Sequence, residues 1–193
     1  VLVADAKKTL EPKFRALQGA GFSKPEVAQM ISANPVFICI RNAASKIEFW
    51  RKIVGDNEKL LKIFKNYFLV GSNTTGKINA NLSFLRSVGM SDRDIARIVV
   101  RRPRLVVRKL NTIMSIVEQV NSLGIEPGSS RRLDALCTVS NLSQSTLEAK
   151  SKLLRSFGWS VDELRYAFQT FPIVLRLSEK KIARAMDFLL KEA

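Results

Sequence analysis

Residues Gly89 to Lys109 read GMSDRDIARIVVRRPRLVVRK, and the order of residues in this stretch decides the fold. Glycine takes the left-handed backbone conformation that closes a helix without the penalty a Cβ imposes. Two residues later Ser91 precedes Asp94 by three, the spacing at which a hydroxyl and a carboxylate satisfy the free amides of a new helix. Gly89 therefore marks a tight turn between two helices. From Ser91 to Arg101 the apolar Ile95, Ile98 and Val99 share one side of a helical wheel, and Arg93, Arg97 and Arg101 form an i, i+4 row opposite. Pro103 then stops the helix, because it lacks an amide hydrogen and disfavours helical backbone at the preceding residue. Leu105 and Val106 still need burial, and a short third turn of 3₁₀ type would meet both demands.

Working outward, the same syntax recurs. Glycines at 21, 55, 89, 124 and 158 are separated by 34, 34, 35 and 34 residues, a period that marks stacked units sharing one continuous core. In the three cleanest copies a serine follows the glycine by two (Ser23, Ser91, Ser160) and an acid follows the serine by three (Glu26, Asp94, Glu163). A proline follows the same glycines by fourteen (Pro35, Pro103, Pro172) and leads into Val-Phe-Ile, Arg-Leu-Val and Ile-Val-Leu. The copies at Gly55 and Gly124 are degenerate. After Gly55, Asn57 is the expected cap of a helix through Leu60, Leu61, Ile63 and Phe64, with no proline in register. After Gly124, Glu126-Pro127-Gly128-Ser129-Ser130 inserts a turn before Leu133 to Val139.

Leading helices are predicted at Pro12 to Gln18, Ala44 to Ile53, Ile78 to Ser87, Leu110 to Leu123, Ser145 to Phe157 and Glu179 to Lys191. No glycine follows the last, so the sequence is expected to stop inside a sixth repeat. Alternation of useful length is missing, which argues against strands. The predicted fold is an all-α helical-repeat solenoid, one domain over residues 1–193, of about five to six motifs that each hold two α-helices and a short 3₁₀ turn.

Among 193 residues, Lys and Arg number 32 against 17 Asp and Glu, a net charge of +15. Fifteen basic and eight acidic residues precede Arg97, and 17 and nine lie from it onward, so the charge belongs to the whole fold. An evenly basic folded chain points to a polyanion, whose condensed counterions are released by multiple phosphate contacts. The competing reading is a surface made soluble by lysine. The longest apolar run, Val36 to Ile40, is too short to span a bilayer. Histidine is absent, which removes the usual general base and the commonest zinc ligand. A non-enzymatic chain without a cofactor is expected. Cys39 and Cys137 stand alone in apolar surroundings and are read as small core residues, in keeping with a reducing compartment.

The candidate binding residues are the arginines and lysines that this syntax leaves over. Around Pro103 they are Arg93, Arg97, Arg101, Arg102, Arg104, Arg108 and Lys109, with Asp92 and Asp94 as the nearby acids. Smaller clusters follow at Arg131 and Arg132 and at Arg176, Lys180, Lys181 and Arg184. Gly71-Ser72-Asn73-Thr74-Thr75-Gly76-Lys77-Ile78 has the skeleton of a phosphate-binding loop, but Ile78 replaces the hydroxyl residue that holds magnesium, and no strand precedes it. A loop joining two helices is the simpler reading. Tyr166, Phe168 and Phe171 follow a capped start at core spacing and are read as packing residues. Asp162 and Glu163 suit the positive end of a helix dipole.

The segments GFSKPEVAQMISANPVFI, GMSDRDIARIVVRRPRLV and GWSVDELRYAFQTFPIVL, with LSEKKIARAMDFLL after the last, resemble the mitochondrial transcription termination factor (mTERF) family, and most of all its land-plant members. The resemblance implies three-helix motifs stacked into a superhelical half-ring whose basic concave groove holds nucleic acid. It further implies import into a mitochondrion or chloroplast and action in organelle gene expression, in transcription termination or regulation, or in RNA processing. The expected partner is double-stranded DNA or structured RNA, with other organelle gene-expression proteins as further candidates; the chain is expected to be a monomer without a membrane partner. Two rivals stand beside this reading. A helical-pair repeat that reads single-stranded RNA one base at a time is disfavoured by the proline-ended third element. A scaffold for protein partners would need an apolar or acidic binding face.

Overall fold

The computed structural model describes residues 8, 10–40, 42–66, 69 and 75–192. Among these, every regular element is helical: α1 Glu11–Gly19, α2 Lys24–Ala33, a 3₁₀ turn Pro35–Cys39, α3 Ala43–Val54, α4 Asn57–Phe64, α5 Thr75–Ser87, α6 Asp92–Arg101, α7 Pro103–Val106, α8 Leu110–Ser122, α9 Arg132–Val139, α10 Gln144–Ser156, α11 Val161–Thr170, a second 3₁₀ turn Pro172–Arg176, and α12 Glu179–Glu192. The predicted leading helices are all present, with ends that differ by no more than three residues. Residues 71–74 of the loop with the phosphate-binding skeleton lie outside the described residues, and Thr75, Gly76 and Lys77 open α5.

The five repeat glycines all have φ between +76° and +92°. Four of them close their helix in the same two-bond pattern. Gly21, Gly89, Gly124 and Gly158 donate to the carbonyl three residues back, and the next residue donates to the carbonyl five back, as in Met90 to Leu85 at 3.0 Å. This is the Schellman arrangement, and the two residues it brings together, such as Phe22 with Leu17 and Met90 with Leu85, are buried. Gly55 uses the simpler single bond, to Arg51 at 2.9 Å.

The serines start the following helices. Ser23 and Ser160 form complete capping boxes, in which Glu26 and Glu163 accept from the serine backbone amide at 2.8 Å in each case. Ser91 accepts from the Asp94 amide at 3.1 Å, but of Ser91 the aspartate reaches the hydroxyl and not the backbone amide, being one methylene too short to complete the box. In the Gly55 copy the cap is Asp56, not Asn57: Asp56 accepts from the Lys59 amide at 2.7 Å. Asn57 instead turns back to donate to the Ala20 and Gly21 carbonyls at 3.4 and 3.3 Å.

The proline-led turns are 3₁₀ at Pro35 and Pro172, as expected, but α-helical at Pro103. Each is held by a polar side chain eight residues before the repeat glycine. Lys13 Nζ donates to the Ile38 carbonyl. Asn81 Nδ2 donates to the carbonyls of Val106 and Arg108 at 2.8 and 2.9 Å. Lys150 Nζ donates to those of Leu175 and Leu177, both at 2.6 Å. These carbonyls lie where a short helix ends and has no further amides to offer, and a cation there also meets the negative end of the helix dipole. The copies without a proline carry buried Ile47 and Ile116 at this position. Donor and proline-led turn therefore occur together.

The chain forms two compact units, residues 1–110 and 111–193. In the first, Phe64 packs edge-on against Phe22 and Phe37, with ring centroids 6.2 and 5.3 Å apart, and Trp50 is buried. In the second, Leu147, Leu154, Leu164, Phe168, Leu175, Ile182 and Met186 form one cluster. Cys137 is buried as expected, whereas Cys39, at the end of its 3₁₀ turn, is exposed. Among the described residues no helix is long and apolar enough to cross a membrane.

Candidate nucleic-acid interface

In the first unit α6 separates its faces cleanly. Ile95, Ala96, Ile98 and Val99 are buried, while Arg93, Arg97 and Arg101 are exposed. The row spans roughly 12 Å at 1.5 Å per residue. Both acids of the first turn are committed to neighbours: Asp92 to Arg86 at 2.7 Å and Asp94 to Arg97 at 3.4 Å. Such exposed pairs contribute at most about 1 kcal/mol. Among the described residues no ion pair engages Arg93 or Arg101. Like charges one turn apart oppose helix formation by a few tenths of a kcal/mol, roughly, and that opposition is relieved by an anion.

The row continues around the proline. Arg102 closes α6 with φ −138° and ψ 58°, so the chain changes direction there before Pro103. Arg101, Arg104 and Lys109 are exposed and Arg102 and Arg108 half-buried. Asn81 fixes the backbone on both sides of Val107, which sets where Arg108 and Lys109 leave the fold.

The second unit divides the remaining candidates. Arg176, Lys180, Lys181 and Arg184 are exposed at the end of the Pro172 turn and on the first turns of α12. Arg131 is exposed, with its guanidinium 5.7 Å from the centre of the Phe171 ring, a cation–π geometry. Arg132 does not belong to the surface set. It is 2% exposed, donating to Asn121 Oδ1 at 3.0 Å and to the Ile125 carbonyl at 2.7 Å, and burial pushes its guanidinium pKa down. Its work is to fasten the turn after Gly124, where the inserted Glu126 to Ser130 segment leaves a carbonyl to be satisfied.

Two sets of residues escaped the sequence reading. Asn81 and Lys150 are polar yet buried, at 0% and 5% exposure; the signal for them was the alternation Lys, Ile, Asn, Ile, Lys eight residues before successive glycines. Tyr166 and Phe171, read as packing residues, are 70% and 61% exposed, and only Phe168 is in the core. Among the described residues no cluster of His, Cys, Asp and Glu is arranged to hold a metal.

The mTERF family model matches residues 1–192. The chain belongs to the mTERF family. It is 28% identical over 161 residues to the mitochondrial transcription termination factor 1 of Pongo abelii, covering 77% of this chain and 40% of that protein. It is also 28% identical over 118 residues to the same factor of Homo sapiens, covering 58% of this chain and 29% of that protein. This mTERF chain thus spans well under half the length of these relatives, and the match covers both compact units.

Proposed function

We propose that this mTERF chain is a non-enzymatic nucleic-acid-binding protein of organelle gene expression, acting in transcription termination or its regulation. The observation that carries the reading is the basic set from Arg93 to Lys109, exposed except for the half-buried Arg102 and Arg108, in a segment whose glycine, serine, aspartate and proline are all consumed by turns and caps. A row of roughly 12 Å matches three to four nucleotides of one strand at about 3.4 Å each. Guanidinium groups suit phosphate because their planar fork can donate two parallel hydrogen bonds. Duplex DNA is the preferred partner, since the relatives are transcription termination factors; structured RNA is the second. Both relatives are mitochondrial, which favours the mitochondrion over the chloroplast.

The arginines and lysines position the backbone, and sequence preference would come from a few contacts to base edges or from nucleic-acid shape. The test is a titration of duplex DNA at increasing salt. Log affinity is expected to fall linearly with log salt, with a slope near −0.9 for each phosphate contacted. A flat titration overturns the reading, and a steeper slope with tighter binding on a structured RNA would move the partner to RNA.

A further inference from the structure

Helices α8, α10 and α11 border a pocket of about 240 Å³, lined by Ser122, Ser151, Arg155 and Arg165, with Leu164 and Phe168 as its apolar wall. Neither guanidinium belongs to the basic sets described above. Val161, Leu164, Arg165 and Phe168 share one face of α11 and meet there residues of α8 and α10, which precede it in the chain. A following copy packs elsewhere: in the first copy α4 meets Phe22 and Phe37, whose counterparts Trp159 and Val174 do not line this pocket.

The register shows how the pocket arises. Counted from the repeat glycines, Ser122 and Ser151 stand where the Gly89 copy has Ile53 and Leu82, Val161 where it has Asp92, and Arg165 where it has Ala96. In that copy Leu82 is buried, and Asp92 accepts from Arg86, the counterpart of Arg155, at 2.7 Å. The four differences act in one direction: two large apolar side chains become hydroxyls, the carboxylate that engages the arginine becomes a valine, and a methyl group becomes a second guanidinium. Among the described residues no ion pair engages Arg155. Arg165 meets Asp162 at 3.5 Å with both side chains largely exposed, a pairing that contributes little and yields to a stronger acceptor.

We propose that this pocket is a seat for a phosphate monoester, with Arg155 and Arg165 as its cationic walls and Ser122 and Ser151 as hydroxyl donors. A monoester carries roughly two negative charges at neutral pH and three terminal oxygens. Two guanidinium groups, each able to donate two parallel hydrogen bonds, match that charge and those acceptors. A diester within a continuous strand has roughly half the charge and one terminal oxygen fewer, so it uses less of what the pocket provides. The Ser122 hydroxyl donates to the Gln119 carbonyl at 2.8 Å and the Ser151 hydroxyl to the Leu147 carbonyl at 2.9 Å. Either can turn to the ligand without orphaning its acceptor: the Leu123 amide reaches the Gln119 carbonyl at 3.2 Å, and the Leu147 carbonyl lies within the hydrogen-bond ladder of α10. The volume is below the roughly 300–1,000 Å³ of pockets that enclose drug-sized ligands, so the phosphoryl group enters and the rest of the ester stays outside.

The inference stands apart from the reading of the Pro103 region, because it rests on residues of the second unit. Its test titrates the whole chain with inorganic phosphate and with adenosine 5′-monophosphate, at an ionic strength held constant with chloride, and follows the arginine Nε–Hε NMR signals. R155K and R165K assign the two signals, which should move together and saturate at millimolar ligand or below. Restoring the residues of the Gly89 copy should weaken binding at least tenfold: V161D returns a carboxylate to Arg155, and S122I with S151L refills the pocket without changing the charge. Unchanged binding in V161D, signals that saturate separately, or failure to saturate at millimolar ligand each overturns the proposal. Unchanged binding in the refilled variant overturns it in favour of general attraction to a basic chain. If that variant loses helix content by circular dichroism, V161D decides alone, since an acid suits the first turn of a helix. Two sources of the phosphate are then told apart. Binding of a 5′-phosphorylated duplex at least tenfold tighter than that of its 5′-hydroxyl counterpart, with the gain lost in V161D, assigns the group to a nucleic-acid end; equal binding of the two duplexes, with the free nucleotide saturating, assigns it to a small phosphate ester.

Discussion

The copies at Gly89 and Gly158 are built alike and face outward differently. Both turn on a glycine at positive φ, start a helix on serine, break at proline and fasten the proline-led turn with a buried donor. Both bury the same inward positions, Ile95 and Val99 in one, Leu164 and Phe168 in the other. They diverge at the outward places. Arg97, Arg101, Arg102 and Arg104 of the first correspond to Tyr166, Thr170, Phe171 and Ile173 of the second. The backbone syntax is one layer of the sequence and the outward chemistry another, so one frame presents guanidinium groups in one copy and aromatic groups in another.

Breaking the shared layer should have the largest effect. Asn81→Leu leaves the Val106 and Arg108 carbonyls without their donor, and a loss of about 2–4 kcal/mol is expected in urea unfolding. Lys150→Met removes the equivalent bonds but also relieves the desolvation of a buried cation, so a smaller loss, about 1–3 kcal/mol, is expected. Equal losses would mean that the charge of Lys150 costs nothing to bury.

The outward layer can then be exchanged. Alanine at Arg101, Arg102 and Arg104 together is expected to weaken duplex DNA binding by about 10- to 100-fold at moderate salt and to flatten the salt slope by about 0.9 for each phosphate left without its guanidinium. The reciprocal pair Thr170→Arg and Ile173→Arg should steepen that slope. Helix content should stay constant in both, by circular dichroism; unaltered affinity in the alanine variant would remove the Pro103 region from the interface.

The caps offer a finer contrast. Ser160→Ala and Ser91→Ala should each cost about 1 kcal/mol, with Ser160 the larger because its box is reciprocal. Smallest is a pH effect. Hydrogen bonds from the Ser160 amide and hydroxyl hold the Glu163 carboxyl below its ordinary pKa. A group depressed in the folded state stabilises at neutral pH, and that contribution is lost as pH falls past the ordinary carboxylate range and through the lowered folded pKa. Glu163→Gln should therefore flatten the acid limb of the melting temperature measured between about pH 6 and pH 3. An unchanged limb would assign the acid dependence to other carboxylates, the Glu26 box included.

The glycine, serine and proline positions were legible because each acts on backbone within a few residues of itself. Asp56 and Asn57 show where that reading stops: both are good caps by type, and the choice depended on Asn57 having carbonyls to reach 36 and 37 residues away. Residue type misled at Arg132 and gave no sign of the burial of Lys150, two cations the fold keeps inside because backbone carbonyls there need donors. Tyr166 and Phe171 have the helical spacing of a core, and no pattern inside one helix tells which packed faces are later covered. The arginine row was legible as a face, from its period alone.

The donors at Lys13, Asn81 and Lys150 each reach a carbonyl 25 residues further along the chain. Closing a loop of that length has a modest entropic cost, since the cost grows only with the logarithm of the length. Each such copy can therefore tie its own turn before its neighbours are in place, and pairings this close in sequence favour rapid assembly. Hydrogen exchange should accordingly resolve opening units about one repeat long, and the tie between Asn81 and Val106 would keep the arginine-bearing turn closed while more distant repeats fray.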